Sequence, residues 1–455
     1  MNLHQRLLER EAAGTPLRVA LIGAGKFGSM FLSQIRRTPG LHLIGVADLA
    51  PERARANLQR VGWPAERLAA RSPGDAVDQG TTWVGDDATV LIQHPAVDVA
   101  IDATGHPPAG IAHALAAIAN GKHIVMVNVE ADALAGPWLA RKAKAGGVVY
   151  SLAYGDQPAL IVEQVDWART CGFEVVAAGK GTKYLPAYHQ STPETVWTHY
   201  GLSAEQARLG GMNPQMFNSF IDGTKSGIEM AAVANATGLT PAPDGLRFPP
   251  CAIDDLPRVL RPETDGGALR HKGQVEVVSS VARDGTPVPR NLRWGVYVVF
   301  EAASDYVRRC FAEYGIATDP EGRYAALYRP SHLVGLELGV SVASVGLRGE
   351  PTGAPTGFRG DVVATAKRDL AAGTLLDGEG GFTVWGKLLP AAESLRVGGL
   401  PIGLADGVTL RRAVTSGAVV RWSDVVVDES SEPVRVRREM EAMFAADLGG
   451  PASTT

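Results

Sequence analysis

Asp222, Lys225 and Glu229 recur at spacings of three and four, so a helix running through Lys225 would place all three on one face. An acid and a lysine so placed can hold a hydroxyl or carbonyl oxygen, with the ammonium donating to the alkoxide that forms as hydride reaches the same carbon. A second set lies in Gly179 to His189, where Lys180 and Lys183 flank a glycine-threonine turn. Ammonium groups, backbone amides and the Thr182 hydroxyl suit a phosphate or polyol oxygen. Lys183 therefore joins Lys225, Asp222 and Glu229 as a candidate catalytic group, and Lys180, Thr182, Tyr184 and His189 are candidate substrate contacts. The third set is Asn128-Val129-Glu130 with Tyr154 to Pro158, in which Asp156 and Gln157 also face the substrate. Glu130, Asp156 and Glu229 together offer oxygen ligands to Mg²⁺ or Mn²⁺. Each set has an ordinary alternative as a solvated loop or a surface ion-pair ladder.

Hydride needs a carrier, and the first fifty residues supply a place for one. The apolar run Leu17 to Ile22 reads as a buried parallel strand that ends in Gly23-Ala24-Gly25-Lys26-Phe27-Gly28, which is G-x-G-x-x-G. Gly23 permits the tight turn, Gly25 lets backbone amides approach a pyrophosphate, and Gly28 lets helix and strand pack closely. Helical spacing follows, then a second apolar run, Leu41 to Ala47, ending at Asp48. That acid suits the adenosine ribose hydroxyls; it would repel a 2′-phosphate, yet Arg53 and Arg55 follow within reach of one. Thr104, Gly105, Asn128 and Gly155 stand at later strand ends on the same side of the sheet, so they complete the expected cofactor contacts with Lys26 and Phe27.

The elements that position these groups alternate. Strand and helix segments continue to Ser151, as expected of right-handed crossovers in a doubly wound α/β Rossmann domain over 1–156. A helix is expected to begin at Trp138, and Ser331 to Leu347 reads as a long buried helix returning to this domain. Residues 157–350 read as an α+β catalytic and oligomerisation domain with its own sheet. Past a Gly, Pro and Thr-rich break, 351–445 reads as a small β-rich module, and the last residues as one charged helix and a loose tail. The net charge of -4 and pI near 6.2 give no general attraction to nucleic acid or anionic lipid. Cys171, Cys251 and Cys310 are odd in number and widely spaced, which suggests neither a disulfide framework nor a zinc knuckle. No stretch has the length of a signal peptide core or a spanning helix, so a cytoplasmic protein without membrane or nucleic-acid partners is expected.

The stretches Gly23 to Gly28, Val127 to Glu130, Tyr150 to Pro158, Gly179 to His189 and Asp222 to Asn235 resemble the homoserine dehydrogenase-like oxidoreductases that carry a SAF-type module, with Asp361 to Leu376 similar to the SAF part. The resemblance implies an NAD(P)-dependent enzyme acting on CH-OH groups, with NADP favoured over NAD. It pairs Asp222 and Lys225 with the acid and lysine that assist hydride transfer to an aldehyde. One position departs from the homoserine enzymes: their Asn-Lys pair is replaced here by Asn128 followed by Val129 and Glu130. The group is also similar to a reductoisomerase branch, the DXR-like (DRL) enzymes, which turn 1-deoxy-D-xylulose 5-phosphate into 2-C-methyl-D-erythritol 4-phosphate with NADPH and a divalent ion. A small hydroxylated or phosphorylated carbonyl substrate, and a homodimer or homotetramer built on the middle sheet, follow as expectations. Reduction of a semialdehyde, or a non-catalytic NAD(P) or sugar sensor, are the alternatives.

Overall fold

The computed structural model describes residues 2–209 and 212–449. The residues read as a loose tail, 450–455, lie outside the described ones. The chain divides into two compact units, one formed by residues up to Leu160 together with His332–Thr356, the other by Ile161–Ser331 together with the chain from Gly357 on.

In the first unit six strands, β1 (Leu17–Ile22), β2 (Leu41–Ala47), β3 (Trp83–Gly85), β4 (Val99–Asp102), β5 (His123–Met126) and β6 (Tyr150–Leu152), form one parallel sheet in the order β3-β2-β1-β4-β5-β6. This is the doubly wound order, with its switch point between β1 and β4. Both faces are covered, which explains the near-continuous apolar runs. Val19, Leu21, Val99 and Ile101 enter one core with Phe31 and Leu32, while Ala20, Ile44 and Ala47 enter another with Leu91 and Val97. Two helices differ from the sequence reading. One spans Val129–Ala145 rather than beginning at Trp138, because Asn128 caps it with its side chain and Pro137 is carried inside it. The other spans Gly339–Arg348 rather than Ser331 to Leu347. Upstream, Gly335 has φ +75° and sits so close to the Phe27 carbonyl that a Cβ would lie 2.8 Å away, which ends any helical path there. Leu338, Val342 and Val345 then fill the core beside β1.

The second unit holds a four-stranded sheet, β7 (Glu174–Thr182), β8 (Gln274–Ser279), β9 (Val296–Glu301) and β10 (Tyr324–Arg329), in the order β10-β9-β7-β8. The expected glycine-threonine turn after Ala178 is in fact the second half of β7. Gly179 and Gly181 are needed there because a Cβ on either would come within 2 Å of a neighbouring carbonyl, at 1.8 Å from Glu276 O and 1.9 Å from Leu292 O.

The SAF-like part follows: β11 (Gly360–Ala366), β12 (Leu375–Asp377), β13 (Val384–Pro390), β14 (Asp406–Leu410) and β15 (Val425–Val426). β11 pairs antiparallel with β13, and β14 lies between β12 and β15. The helix Thr224–Thr237 lies on the β11–β13 pair, where Gly227 and Gly360 allow close approach. At the far end Arg437, fully buried, donates to both oxygens of Asp361 at 3.0 and 2.6 Å and ties the final helix to β11. Among the described residues no helix is long and apolar enough to cross a membrane.

Candidate active site

The glycine turn has the shape its sequence requires. Gly23 adopts φ +94°, with Ala103 O only 2.8 Å from where a Cβ would stand. A Cβ on Gly28 would run into Gly23 O at 2.3 Å, whereas one on Gly25 would meet nothing within 4 Å. Two of the glycines are thus fixed by packing, and the third leaves an open approach to the backbone. Gly25 is the N-cap of the helix Lys26–Ile35 and no side chain caps it, so the first-turn amides face that opening with the positive end of the helix dipole. These features fit a pyrophosphate.

Asp48 does more than the sequence reading gave it. Its carboxylate accepts from the Ala24 and Ala50 amides, each at 2.9 Å, and Arg53 stands 3.5 Å away. Asn57 donates to the Ala24 carbonyl at 2.8 Å, so the turn is clamped from both sides. Arg55 is committed to the Leu68 and Val84 carbonyls, whereas the Arg53 side chain is 70% exposed, which leaves Arg53 as the arginine available at this corner.

At the ends of β4 and β5 a polar network gathers around Asp102, which is fully buried. It accepts from the Thr104 amide and hydroxyl at 3.1 and 2.8 Å, and its other oxygen meets His113 Nδ1 at 2.5 Å. Asn128 donates to Asp102, Thr104 and the His106 carbonyl, and accepts from the Ala131 amide. Asp102, Thr104 and Asn128 were expected at these strand ends; His113, which reaches Asp102 from the following helix, was not. Glu130 stands in the first turn of its helix, where the dipole favours an acid. Gly155, at φ +93°, would place a Cβ 2.9 Å from Leu333 O, so packing explains this glycine. Asp156 accepts from the Gln157 amide at 2.9 Å, and Gln157 is buried.

In the second unit the chemistry is arranged differently from the one-face helix. The helical run breaks at Asp222, between the helices Pro214–Ile221 and Thr224–Thr237. Gly223, at φ +92°, makes the break. Asp222 is fully buried and pairs with Lys367 at 2.8 Å, not with Lys225. Burial pulls the carboxyl upward against the Lys367 charge. The Lys367 ammonium also donates to the Ser191 and Gly381 carbonyls at 2.8 and 2.7 Å, which satisfies all three of its protons. The other Asp222 oxygen accepts from the Thr224 amide at 2.9 Å, and Thr224 Oγ1 accepts from the Gly386 amide at 2.8 Å. The turn leading into Lys225 is therefore held by the SAF-like strands, with both Asp222 oxygens engaged in holding it. Lys225 itself is half-buried in the first turn of its helix.

Lys180 and Glu229 form a short buried ion pair. Lys180 was expected to contact the substrate and Glu229 to act in catalysis or hold a metal; both are buried and paired with each other. Among the described residues no cluster of three or more His, Cys, Asp or Glu is arranged to hold a metal ion. Lys183 donates to the His199 carbonyl at 2.5 Å, and burial, then the charge of Arg293, holds its ammonium below the usual lysine range.

Tyr184 and His189 are joined. His189 Nδ1 lies 2.7 Å from the Asp222 carbonyl, which can only accept, so Nδ1 carries the proton and Nε2 accepts from the Tyr184 hydroxyl at 2.8 Å. Burial pushes this imidazole down to about 4, with Lys387 and Lys367 acting in the same direction. Its ring stacks on Trp385 at 3.7 Å, and Tyr184 stacks on Phe248 at 3.9 Å. Phe248 has φ +51°, a conformation held by its amide and that of Arg247, both of which donate to buried Glu276. Lys367, Trp385 and Phe248 were not found by sequence reasoning, because each lies far along the chain from the group it supports.

Comparison with known proteins agrees with this assembly. Residues 23–152 match the NAD-binding domain of homoserine dehydrogenase, residues 155–338 the catalytic domain of oxidoreductase DRL, and residues 361–426 the SAF domain. No curated protein sequence matches the chain. Among solved structures, an NAD-binding oxidoreductase from Klebsiella pneumoniae is 22% identical with a TM-score of 0.27, over 38% of this chain and 44% of that one. A myo-inositol dehydrogenase from Lactobacillus casei, in complex with NAD(H) and myo-inositol, is 17% identical with a TM-score of 0.28, over 40% and 50%. A homoserine dehydrogenase from Thiobacillus denitrificans is 16% identical with a TM-score of 0.42, over 73% of each chain. The chain thus spans half or less of the length of the first two.

Proposed function

We propose that the chain is an NAD(P)-binding oxidoreductase of the DRL and homoserine dehydrogenase-like kind and that it reduces a small hydroxylated or phosphorylated carbonyl compound, in its sharpest form by a 1-deoxy-D-xylulose 5-phosphate reductoisomerase-like reaction. The observation that carries this reading is the turn Asp222-Gly223-Thr224, locked by buried contacts directly ahead of a half-buried lysine. The Gly23 to Gly28 turn would hold NAD(P)H, which when bound would supply hydride for a carbonyl carbon. Lys225 donates the proton to the oxygen, and the positive end of its helix adds to the stabilisation of the developing alkoxide. The Tyr184 hydroxyl, already donating to His189, retains lone pairs for a substrate hydroxyl. Exposed Arg53 beside a carboxylate that two amides already occupy supports NADPH as the preferred donor. Leu327 and Tyr328, apolar and over a third exposed on edge strand β10, support a homodimer or homotetramer.

Nicotinamide absorbance tests the reading, with 1-deoxy-D-xylulose 5-phosphate, other ketose phosphates and aspartate semialdehyde, each with and without Mg²⁺ or Mn²⁺. Consumption of NADPH is expected with a ketose phosphate. Lys225→Ala should bind the cofactor nearly as before and lose at least about a hundredfold in rate. Binding of the cofactor without consumption in any arm contradicts the proposal.

A further inference from the structure

We infer that Lys183 and Arg293 form an anion seat for the phosphate end of the substrate; the inference rests on, and deepens, the reading of the protein as a reductase of a phosphorylated carbonyl compound. β7 runs so close past Leu292 that a Cβ on Gly181 would also stand 3.0 Å from the Arg293 amide nitrogen, and the Gly181 amide donates to the Gly295 carbonyl at 3.1 Å. This approach brings the strand end that carries Lys183 beside the loop that carries Arg293. Lys183 is fastened to the His199 carbonyl, and the His199 ring lies 4.6 Å from that of Tyr188. The Arg293 guanidinium lies over the Trp294 ring at 4.7 Å. Among the described residues its side chain makes no hydrogen bond and no ion pair.

The charge of Arg293 acts on Lys183, Tyr188 and Tyr200, and no carboxylate acts on any of these three or on His199. Burial pushes the Tyr200 hydroxyl up to about 12, against the pull of Arg293, so the phenol stays a neutral donor. The Arg293 charge disfavours that of half-buried Lys183, and a dianion brought from outside removes that cost. A guanidinium fork, an ammonium and phenolic donors suit the oxygens of a phosphate monoester. The seat is also in the right neighbourhood. Tyr188 packs with Val196 and Ile221, and the next residue, His189, is bonded to Asp222 at the turn that presents Lys225.

Two measurements on the full chain test this. The first is trace acetylation with acetic anhydride, with inorganic phosphate as the probe and Lys183 read by peptide mass spectrometry. Phosphate should slow Lys183 labelling by at least about threefold in the wild type and have no effect in Arg293→Met. Labelling insensitive to phosphate in the wild type overturns the seat, whether or not the protein turns over a ketose phosphate. Shielding without turnover of any carbonyl compound would keep the seat and remove the reductase reading. The second compares 1-deoxy-D-xylulose 5-phosphate with unphosphorylated 1-deoxy-D-xylulose. Arg293→Met should lower the preference in kcat/KM for the phosphorylated compound at least about tenfold, chiefly through KM. An equal loss for both compounds overturns the inference. Should Arg293→Met fail to fold, Lys183→Gln serves in the kinetic arm with the same expectation.

Discussion

At the scale of single residues, the buried acids divide by whether a cation meets them. Asp222 has Lys367, and Glu229 has Lys180. Asp132 has none: it is fully buried, one oxygen accepts from the Tyr150 hydroxyl at 2.9 Å, and the other makes no hydrogen bond. Burial pushes its carboxyl up to about 7, only partly opposed by Tyr150. The folded chain therefore keeps a proton that the unfolded chain releases near the ordinary aspartate value, so stability is greatest below that value and falls as pH rises toward about 7. Asp132→Asn removes this slope. Between about pH 4.5 and pH 7.5 the variant should gain on the wild type by on the order of 3 kcal/mol in urea unfolding. Parallel pH profiles for the two proteins would show that Asp132 is ionised throughout.

Elements decide which residues meet, and here the SAF-like strands matter as much as the helix that carries Lys225. Lys367 follows β11 directly and reaches Asp222, while Gly386 of β13 donates to Thr224. Lys367→Met would leave a buried carboxylate without its cation and should cost about 3–5 kcal/mol of stability. The Asp222→Asn, Lys367→Met double variant should recover most of that loss and part of the rate, because the unpaired charge is gone. If the double variant is as unstable as the sum of the single ones, the pair is not coupled. The glycine turn, the acid at Asp48 and the alternation of the first unit were legible because they are local patterns of apolar period and glycine placement. The second half of β7 was not legible, since Gly-Lys-Gly-Thr has the composition of a turn, and only the crowding of Glu276 and Leu292 against it explains why a strand has glycines there.

For the molecule as a whole, the match to three consecutive domain families agrees with the order of segments along the chain: a doubly wound parallel sheet, a second sheet with its helices, and a β-rich module that braces the Asp222–Thr224 turn. The candidate site was half visible in sequence. Lys225 and the Tyr184–His189 pair stood out by residue type, whereas Lys367, Trp385 and Arg293 come from segments that carry no local signal and reach the site only through tertiary folding. On the proposed function, hydride passes from the nicotinamide to a substrate carbon. Incubation with NADPH deuterated at the transferring C4 position and a ketose phosphate, followed by mass spectrometry of the product, tests it most directly. One deuterium is expected in the product, bound to carbon and slow to form in Lys225→Ala; a product formed without deuterium, or no product beside a bound cofactor, would rule out hydride transfer to the substrate.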